Sequence, residues 1–208
     1  VRLGSRVLVD DLWVAALVSE VAPLVAALSR PRLLSHRLCV GGLDGRTVAV
    51  LRCGVGPQRA RSGTRNALKR VSAREVWSLG SCGALVDDLK VGDLVTADWV
   101  LHLSRLQPAD PVDGVRVGRV LTVDAPIFTA ARRLEVARLG ALVCEMEAAG
   151  VADAAEGKRV RVLKVVSDRA GAEPDAAIDG VRAVAMARFH VRVERLMRTC
   201  LLPALRQT

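Results

Sequence analysis

Residues Cys144–Ala155 read CEMEAAGVADAA and come directly after the apolar run Ala141-Leu142-Val143. An apolar run that gives way to small residues in this manner reads as a strand feeding a helix, with Glu145, Met146 and Glu147 at the seam. A strand that continued through Glu-Met-Glu would send the two glutamates to one side and the methionine to the other. Acids at the carboxyl end of a strand in an α/β protein stand where ligands usually bind. The same two acids also suit a helix N-terminus, where they complement the dipole. The rest of the chain has to decide between those readings.

The 208 residues, 51% of them apolar, suit one domain over 1–208 with a sizeable core. No Ser/Gly/Pro-rich linker, low-complexity tract or internal repeat divides them. The most lipid-like window, Leu12–Ser29, carries Glu20 and Pro23, which argues for a soluble strand–helix pair and against a membrane span. The start shows no basic, apolar and small-residue succession of a secretion signal, so no leader is expected. The five cysteines, Cys39, Cys53, Cys82, Cys144 and Cys200, are odd in number and lack metal-ligand spacing; buried thiols of a cytoplasmic protein explain them. A formal charge of +9 invites a nucleic-acid reading. Against it, the arginines are scattered, Tyr is absent and only two Phe and three Trp are available for base stacking. The Arg-, Ala- and Val-rich composition has the look of a coding bias, and no nucleic-acid partner is expected.

Along the chain, Trp13–Leu17 reads as a strand and Val21–Leu28 as a helix, with Glu20 at their junction. An acid there is either a dipole partner or, in its apolar setting, a catalytic group. Arg37–Val40 and Thr47–Arg52 are strands around Gly41–Gly45, whose Asp44-Gly45 pair signals a hairpin. Next come Gly54-Val55-Gly56 and a helix over Gln58–Lys69, a strand–glycine–helix succession that suits an anion or a ribose as well as a plain tight turn. Glu75–Leu79 is a strand ending in Gly80–Ala84, whose small residues admit a ligand close to the backbone. Leu94–Leu101 and Val115–Val123 are strands, Gln107–Gly114 a polar loop, and Phe128–Arg138 a helix. Val160–Val166 is an apolar strand ending in Ser167-Asp168. Ala176–Leu201 is a long amphipathic helix with Val181, Val184, Ala185 and Arg188 on neighbouring turns. Strands and helices alternate throughout, so the class is α/β.

Five of these pieces, in order, resemble the nucleoside phosphorylase family and within it the methylthioadenosine/adenosylhomocysteine nucleosidase branch. They are Ala16–Val21, Gly54–Gly56, Leu79–Ala84, Glu145–Ala149 and Val166–Asp168, with Gly92-Asp93-Leu94-Val95 as the family's usual strand entry. The resemblance implies a three-layer αβα sandwich around a twisted mixed β-sheet. It also implies cleavage of an N-glycosidic bond, without cofactor or metal. By that resemblance Asp168 is the general acid that protonates purine N7, oriented by Ser167. An acid in that role has to hold its proton near neutral pH, which calls for burial or a like-charge neighbour. Glu147 accepts hydrogen bonds from the ribose 2′- and 3′-hydroxyls, which two carboxylate oxygens suit. Met146 packs beneath the sugar or simply belongs to the core. Glu20 aligns and deprotonates the attacking water. Ser81, Cys82 and Gly83 line the base and nucleophile region, and Glu145 is either a supporting hydrogen-bonding residue or a ligand. His36, His102 and His190 fall on no family motif and take surface or packing roles.

Phosphorolysis needs cations for the phosphate. Members of the hexameric purine phosphorylase branch place an arginine two residues ahead of Gly-Ser-Cys-Gly, where this chain has Ser78. Arg59, Arg61 and Arg65 suit a solvated helix face better than a phosphate site. Water is therefore the expected nucleophile and the chain a purine, adenine-releasing nucleosidase acting on a 5′-substituted nucleoside. The alternatives are a phosphate-dependent phosphorylase, to which the Gly-Ser-Cys-Gly run itself points, and an inactive nucleoside-binding relative. Pro126 stands where the branch has a base-stacking aromatic, with Phe128 two residues on. Ile178 takes the place of a second aromatic, near the 5′ substituent. Gly56–Ala60 is similar to hopanoid-associated members, which would suit a large apolar 5′ group; futalosine-type hydrolysis is a further option. The family also implies a homodimer or higher homo-oligomer.

Overall fold

In strand β1 (Val7–Ala15) Leu12 and Val14 face one layer of the molecule and Trp13 and Ala15 the other, all four buried. Burial on both faces marks a strand covered by helices on both sides, and such strands are parallel to their neighbours. β1 runs parallel to β4 (Arg46–Arg52) on one side and β5 (Val71–Ala84) on the other. The computed structural model describes residues 6–127, 129–169 and 182–208. Its sheet continues past β4 into β3 (Leu38–Leu43) and β2 (Ser29–Ser35), joined antiparallel, with Asp44-Gly45 closing the β3–β4 hairpin.

On the other side, β5 pairs with both β9 (Val143–Glu145) and β10 (Arg159–Asp168). β10 pairs with β6 (Leu94–His102), β6 with β8 (Arg116–Thr122) and β8 with β9. The mixed sheet thus closes into a ring at this end, and the 14-residue length of β5 is what lets one strand serve both the open and the closed part. β7 (Arg105–Pro108) adds to the outer edge of β6.

Helix α1 (Val18–Ala26), α5 (Arg182–Leu196), the π-helical turn Met197–Leu201 and α6 (Leu202–Gln207) cover one face. They pack Leu24, Met197, Leu201 and Leu205 on Trp13 and Trp77. α2 (Pro57–Leu68) and α4 (Ala148–Ala154) cover the other, with Ala60, Ala67 and Val151 against Leu12, Val14 and Val76. α3 (Ala130–Ala137) places Val136 over Leu101, Leu121 and Cys144 at the ring. The α/β class and the αβα layering expected above are what the structure shows.

Several boundaries differ. β2 goes unread because it is a largely exposed edge strand with Pro31 and two arginines, without apolar alternation. β7 occupies part of the expected loop Gln107–Gly114. The strand expected over Glu75–Leu79 runs on through Gly80–Ala84, because β10 and β9 pair with it as far as Ala84. β9 stops at Glu145, and Glu147 has left extended geometry (φ −127°, ψ −32°), so Glu-Met-Glu does not continue as strand and its period-two reading fails. Of the expected helix Ala176–Leu201, the described part begins at Arg182. Ile178 and Val181, Phe128, and the side chains of Val184 and Ala185 lie outside the described residues. No helix among the described residues is long and apolar enough to cross a membrane.

Candidate active site

The carboxyl ends of β1, β4, β9 and β10, with the second half of β5, meet at one cavity of about 330 Å³. That is the lower end of the range for small-molecule pockets, and its place follows the rule that α/β sheets bind ligands beyond their strand ends. Glu20, in the first turn of α1, is 4% exposed. Its Oε2 accepts the N–H groups of Ala16 and Leu17, both at 3.0 Å. Its Oε1 accepts the Ser81 N–H at 2.8 Å and the Ser81 hydroxyl at 2.9 Å. Gly80 has a φ of +135°, and a Cβ there would stand 2.7 Å from Glu20 Oε1, so the close approach of strand to acid requires glycine.

The two glutamates of Glu-Met-Glu separate in role. Glu145 Oε2 lies 2.8 Å from the Lys164 ammonium and 2.9 Å from the N–H groups of Glu147 and Ala148, which donate to it at the start of α4. The Thr122 hydroxyl donates to Glu145 Oε1 at 2.6 Å. Lys164 is fully buried. Burial pulls its ammonium towards neutrality, but Glu145, with Glu147 and Glu20 behind it, outweighs burial and holds it above its ordinary value. Glu147 accepts one hydrogen bond, from the Gly56 N–H at 2.9 Å. Burial, reinforced by the Glu145 charge and opposed by Lys164, pushes Glu147 up to about 7. Met146, half-buried between them, lines the cavity.

Asp168 ends β10. Its Oδ1 accepts the Ser167 hydroxyl at 2.9 Å, and that hydroxyl also lies 3.1 Å from the Cys82 carbonyl oxygen. Its Oδ2 is ion-paired with Arg133 of α3. Gly83 makes room for the pair: a Cβ would fall 3.1 Å from Asp168 Oδ2 and 3.2 Å from Arg133 Nη1. The expected setting for this acid was burial or a like charge. Its side chain is instead 29% exposed and faces a guanidinium, which α3 brings in from outside the strand ends.

The cavity therefore gathers Glu20, Ser81, Cys82, Gly83, Met146, Glu147, Ser167 and Asp168, every described residue that the sequence pointed to as a site; Glu145 and Pro126 line it too. Burial pushes the Cys82 thiol well above its usual range and the Cys144 thiol up to about 12, so neither is a nucleophile near neutral pH. Ser78, at the position of the phosphorylase arginine, is completely buried. Arg59, Arg61 and Arg65 are exposed on α2. Sequence reasoning missed Arg133 and the α5 residues Met186, Phe189 and Arg192, which complete the wall. For Arg133 there was a signal: it is three residues before Val136 and shares its inward face.

Among curated proteins, the 5′-methylthioadenosine/S-adenosylhomocysteine nucleosidase of Shewanella sp. (strain MR-7) is 33% identical over 92 residues, 43% of this chain and 39% of that protein. The enzyme of the same description from Shewanella sp. (strain W3-18-1) is 29% identical over 131 residues, 60% of this chain and 54% of its own length. The chain thus spans about half or less of the length of these relatives. Among solved structures, the 5′-methylthioadenosine/S-adenosylhomocysteine nucleosidase of Neisseria meningitidis in complex with methylthio-immucillin-A superposes with a TM-score of 0.78 at 18% identity, over 96% of this chain and 99% of that one. The S-adenosylhomocysteine nucleosidase of Streptococcus pyogenes gives 0.77 at 19%, over 98% and 99%. These structural likenesses speak for the fold. The phosphorylase superfamily model matches residues 7–114 and 113–198, nearly the whole length, and this chain belongs to that superfamily.

Proposed function

We propose that the chain is a purine nucleosidase that hydrolyses the N-glycosidic bond of a 5′-substituted adenosine and releases adenine. The observation that carries this reading is the convergence of Glu20, Glu147 and Asp168, from three separate parts of the chain, on one nucleoside-sized cavity. The curated relatives that share the matched segments carry the same activity in their names.

Asp168 donates a proton to purine N7 as the bond to the sugar breaks, so the base leaves neutral. Ser167 donates to one of its oxygens and so orients the carboxyl. The substrate has to meet Asp168 in its protonated form, with the Arg133 contact loosened. Glu147 has one oxygen on Gly56 and lone pairs left for the ribose hydroxyls. Met146 forms the floor of the sugar site with a polarisable thioether beneath the developing oxocarbenium ion. Glu20 acts as the base for water. Its four hydrogen bonds already occupy about four acceptor sites. The Ser81 hydroxyl, the one rotatable donor of the four, is the partner that turns aside for the water. Proton transfer of this kind is worth about 10²–10⁴ in rate.

Water as nucleophile is supported by Ser78, a buried hydroxyl where a phosphate-binding arginine is needed. Adenine release from 5′-methylthioadenosine in phosphate-free buffer, unchanged on adding phosphate, is the expected result. Release that depends strictly on phosphate would make the enzyme a phosphorylase, the reading that Gly80-Ser81-Cys82-Gly83 favours. Ligand binding without release of base from any nucleoside would leave the inactive relative. The working form is a homo-oligomer in the cytoplasm. Exposed Trp99, Leu103 and Leu106 around the β6–β7 hairpin support the first part, and sedimentation at micromolar concentration tests it. Five free cysteines support the second.

A further inference from the structure

Helix α5 walls the catalytic cavity with Met186, Phe189 and Arg192 and has a further cleft on either flank. One, of about 740 Å³, shares Ala16, Leu17 and Val55 with the cavity and is lined by Arg37, Arg52 and Arg59, with His190 and Glu194 from α5. The other, of about 860 Å³, shares Arg192 with the cavity and is lined by Val91 and by Arg188, Val191 and Arg195 of α5. Arg188, Val191 and Arg195 follow one another at three- and four-residue spacing and so share one helix face. Among the described residues Glu194 is the one acid that lines either cleft, and Arg198 pairs with it at 2.9 Å. Among the same residues no carboxylate lies within ion-pair distance of Arg37, Arg52, Arg59, Arg188 or Arg195. These guanidinium groups stand on both sides of the cavity without a compensating charge.

The same face is apolar between its charges. Val191 is 70% exposed and Val18, at the start of α1, 59%, and each lines one of the two clefts. Val55 and Met186 line the catalytic cavity and are exposed as well, so its mouth opens on this face. Guanidinium groups interspersed with exposed aliphatic side chains suit a bilayer surface, where the charges meet acidic headgroups and the aliphatic groups enter the boundary of the acyl chains. Duplex nucleic acid would meet the arginines and leave Val18 and Val191 uncovered. A second copy docked about a two-fold axis would set arginine against arginine. We infer that α5, with the clefts at its flanks, is a peripheral docking surface for a membrane that carries anionic phospholipids, and that docking sets the mouth of the catalytic cavity against the bilayer. Such docking is independent of the reaction that the cavity carries out.

The test is flotation of the whole chain with vesicles of phosphatidylcholine alone and of phosphatidylcholine with an equal part of phosphatidylglycerol, at low ionic strength. The chain should float with the acidic vesicles and stay behind with the neutral ones, and added salt should release it. Each arginine near an acidic bilayer is worth about fivefold in partition, so Arg188→Gln combined with Arg195→Gln should cut binding by roughly 25-fold. Val191→Ser should weaken it severalfold, because the aliphatic contact is lost. The control is Arg74→Gln combined with Arg206→Gln, which removes the same charge at the amino-terminal end of the sheet, where Arg74 faces Asp10 and Arg206 faces Asp44. It should bind nearly as the wild type does. Equal losses in the two double variants would reduce the effect to net charge and overturn the docking face, as would equal flotation with both kinds of vesicle or with neither. Retention by duplex DNA without flotation would make the face a nucleic-acid surface, and also overturns it. A wild-type oligomer that falls apart in the Arg188→Gln, Arg195→Gln variant, seen by sedimentation, would give the face to a second copy and overturns it as well.

Discussion

Glu145 meets an ammonium, a hydroxyl and two backbone N–H groups, whereas Glu147, two residues on, meets a single backbone N–H. Both are buried. The first is a closed arrangement: Lys164 neutralises it, and its remaining lone pairs fill the start of α4. The second is left open towards the cavity, and with a like charge beside it burial pushes it up to about 7. A buried charge whose partners are all protein serves the fold; one whose partners are missing has acceptor capacity for a ligand. The Glu145–Lys164 pair also sets the field in which Glu147 titrates, so the anchor tunes the site.

The comparison breaks most severely at Lys164. Lys164→Met removes one partner of a fully buried pair and leaves Glu145 uncompensated. We expect a loss of about 3–5 kcal/mol in denaturant unfolding. A loss below 1 kcal/mol would mean that Glu145 is not held as described. Asp168→Asn sharpens the other side, because it keeps the shape and removes the proton: base release should fall by about 10²–10⁴ while nucleoside binding persists. Unaltered turnover would take the acid role away from Asp168.

Glu147 gives the pH signature. As a carboxylate it offers the ribose hydroxyls every lone pair that the Gly56 N–H does not take, and a proton occupies one of these. KM should therefore rise as pH falls through about 7, and the slope should vanish in Glu147→Gln. For stability the sign is opposite. The folded value lies above the ordinary 4.5, so the folded state binds the proton more tightly. That contribution is fully present below about 4.5 and lost as pH rises through about 7. Stability measured over this window should decline in the wild type and decline less in Glu147→Gln. A wild-type profile flat in both KM and stability would mean that Glu147 is not the open acid of the cavity. The smallest effect is expected at Met146, which is half-buried: Met146→Ala should cost about 1 kcal/mol of transition-state binding, seen as a severalfold drop in kcat/KM.

Much of this was legible beforehand. The apolar runs of β1, β4 and β10 announce strands buried on both faces, and the acids at their ends announce a site. Ser167-Asp168 closes one such run and Glu20 stands in the helix turn after another, and the resemblance to the family singled them out. Arg133 was not, because α3 also carries Arg132, which is exposed and paired with Glu135 on the surface; composition alone does not tell the two apart. Lys164 was passed over as well, although a lysine inside Val162–Val166 has no route to water and requires an acid partner. β2 and β7 escaped because edge strands need only a hydrogen-bonding neighbour, and their side chains carry no alternation.

By itself the sequence determined the alternation of strands and helices, the apolar faces, and the kinds of acid placed at the seams, since all of these follow from periodicity over a few residues. Tertiary structure alone decided which acid is anchor and which is open, that the sheet closes on itself around β5, and that a guanidinium meets the proposed proton donor. Those outcomes depend on contacts between distant residues: Glu147 with Gly56 across 91 positions, Glu20 with Ser81 across 61, and Asp168 with Arg133 across 35. Local pattern specifies what each segment is, but a carboxylate's work is set by the groups that folding brings against it.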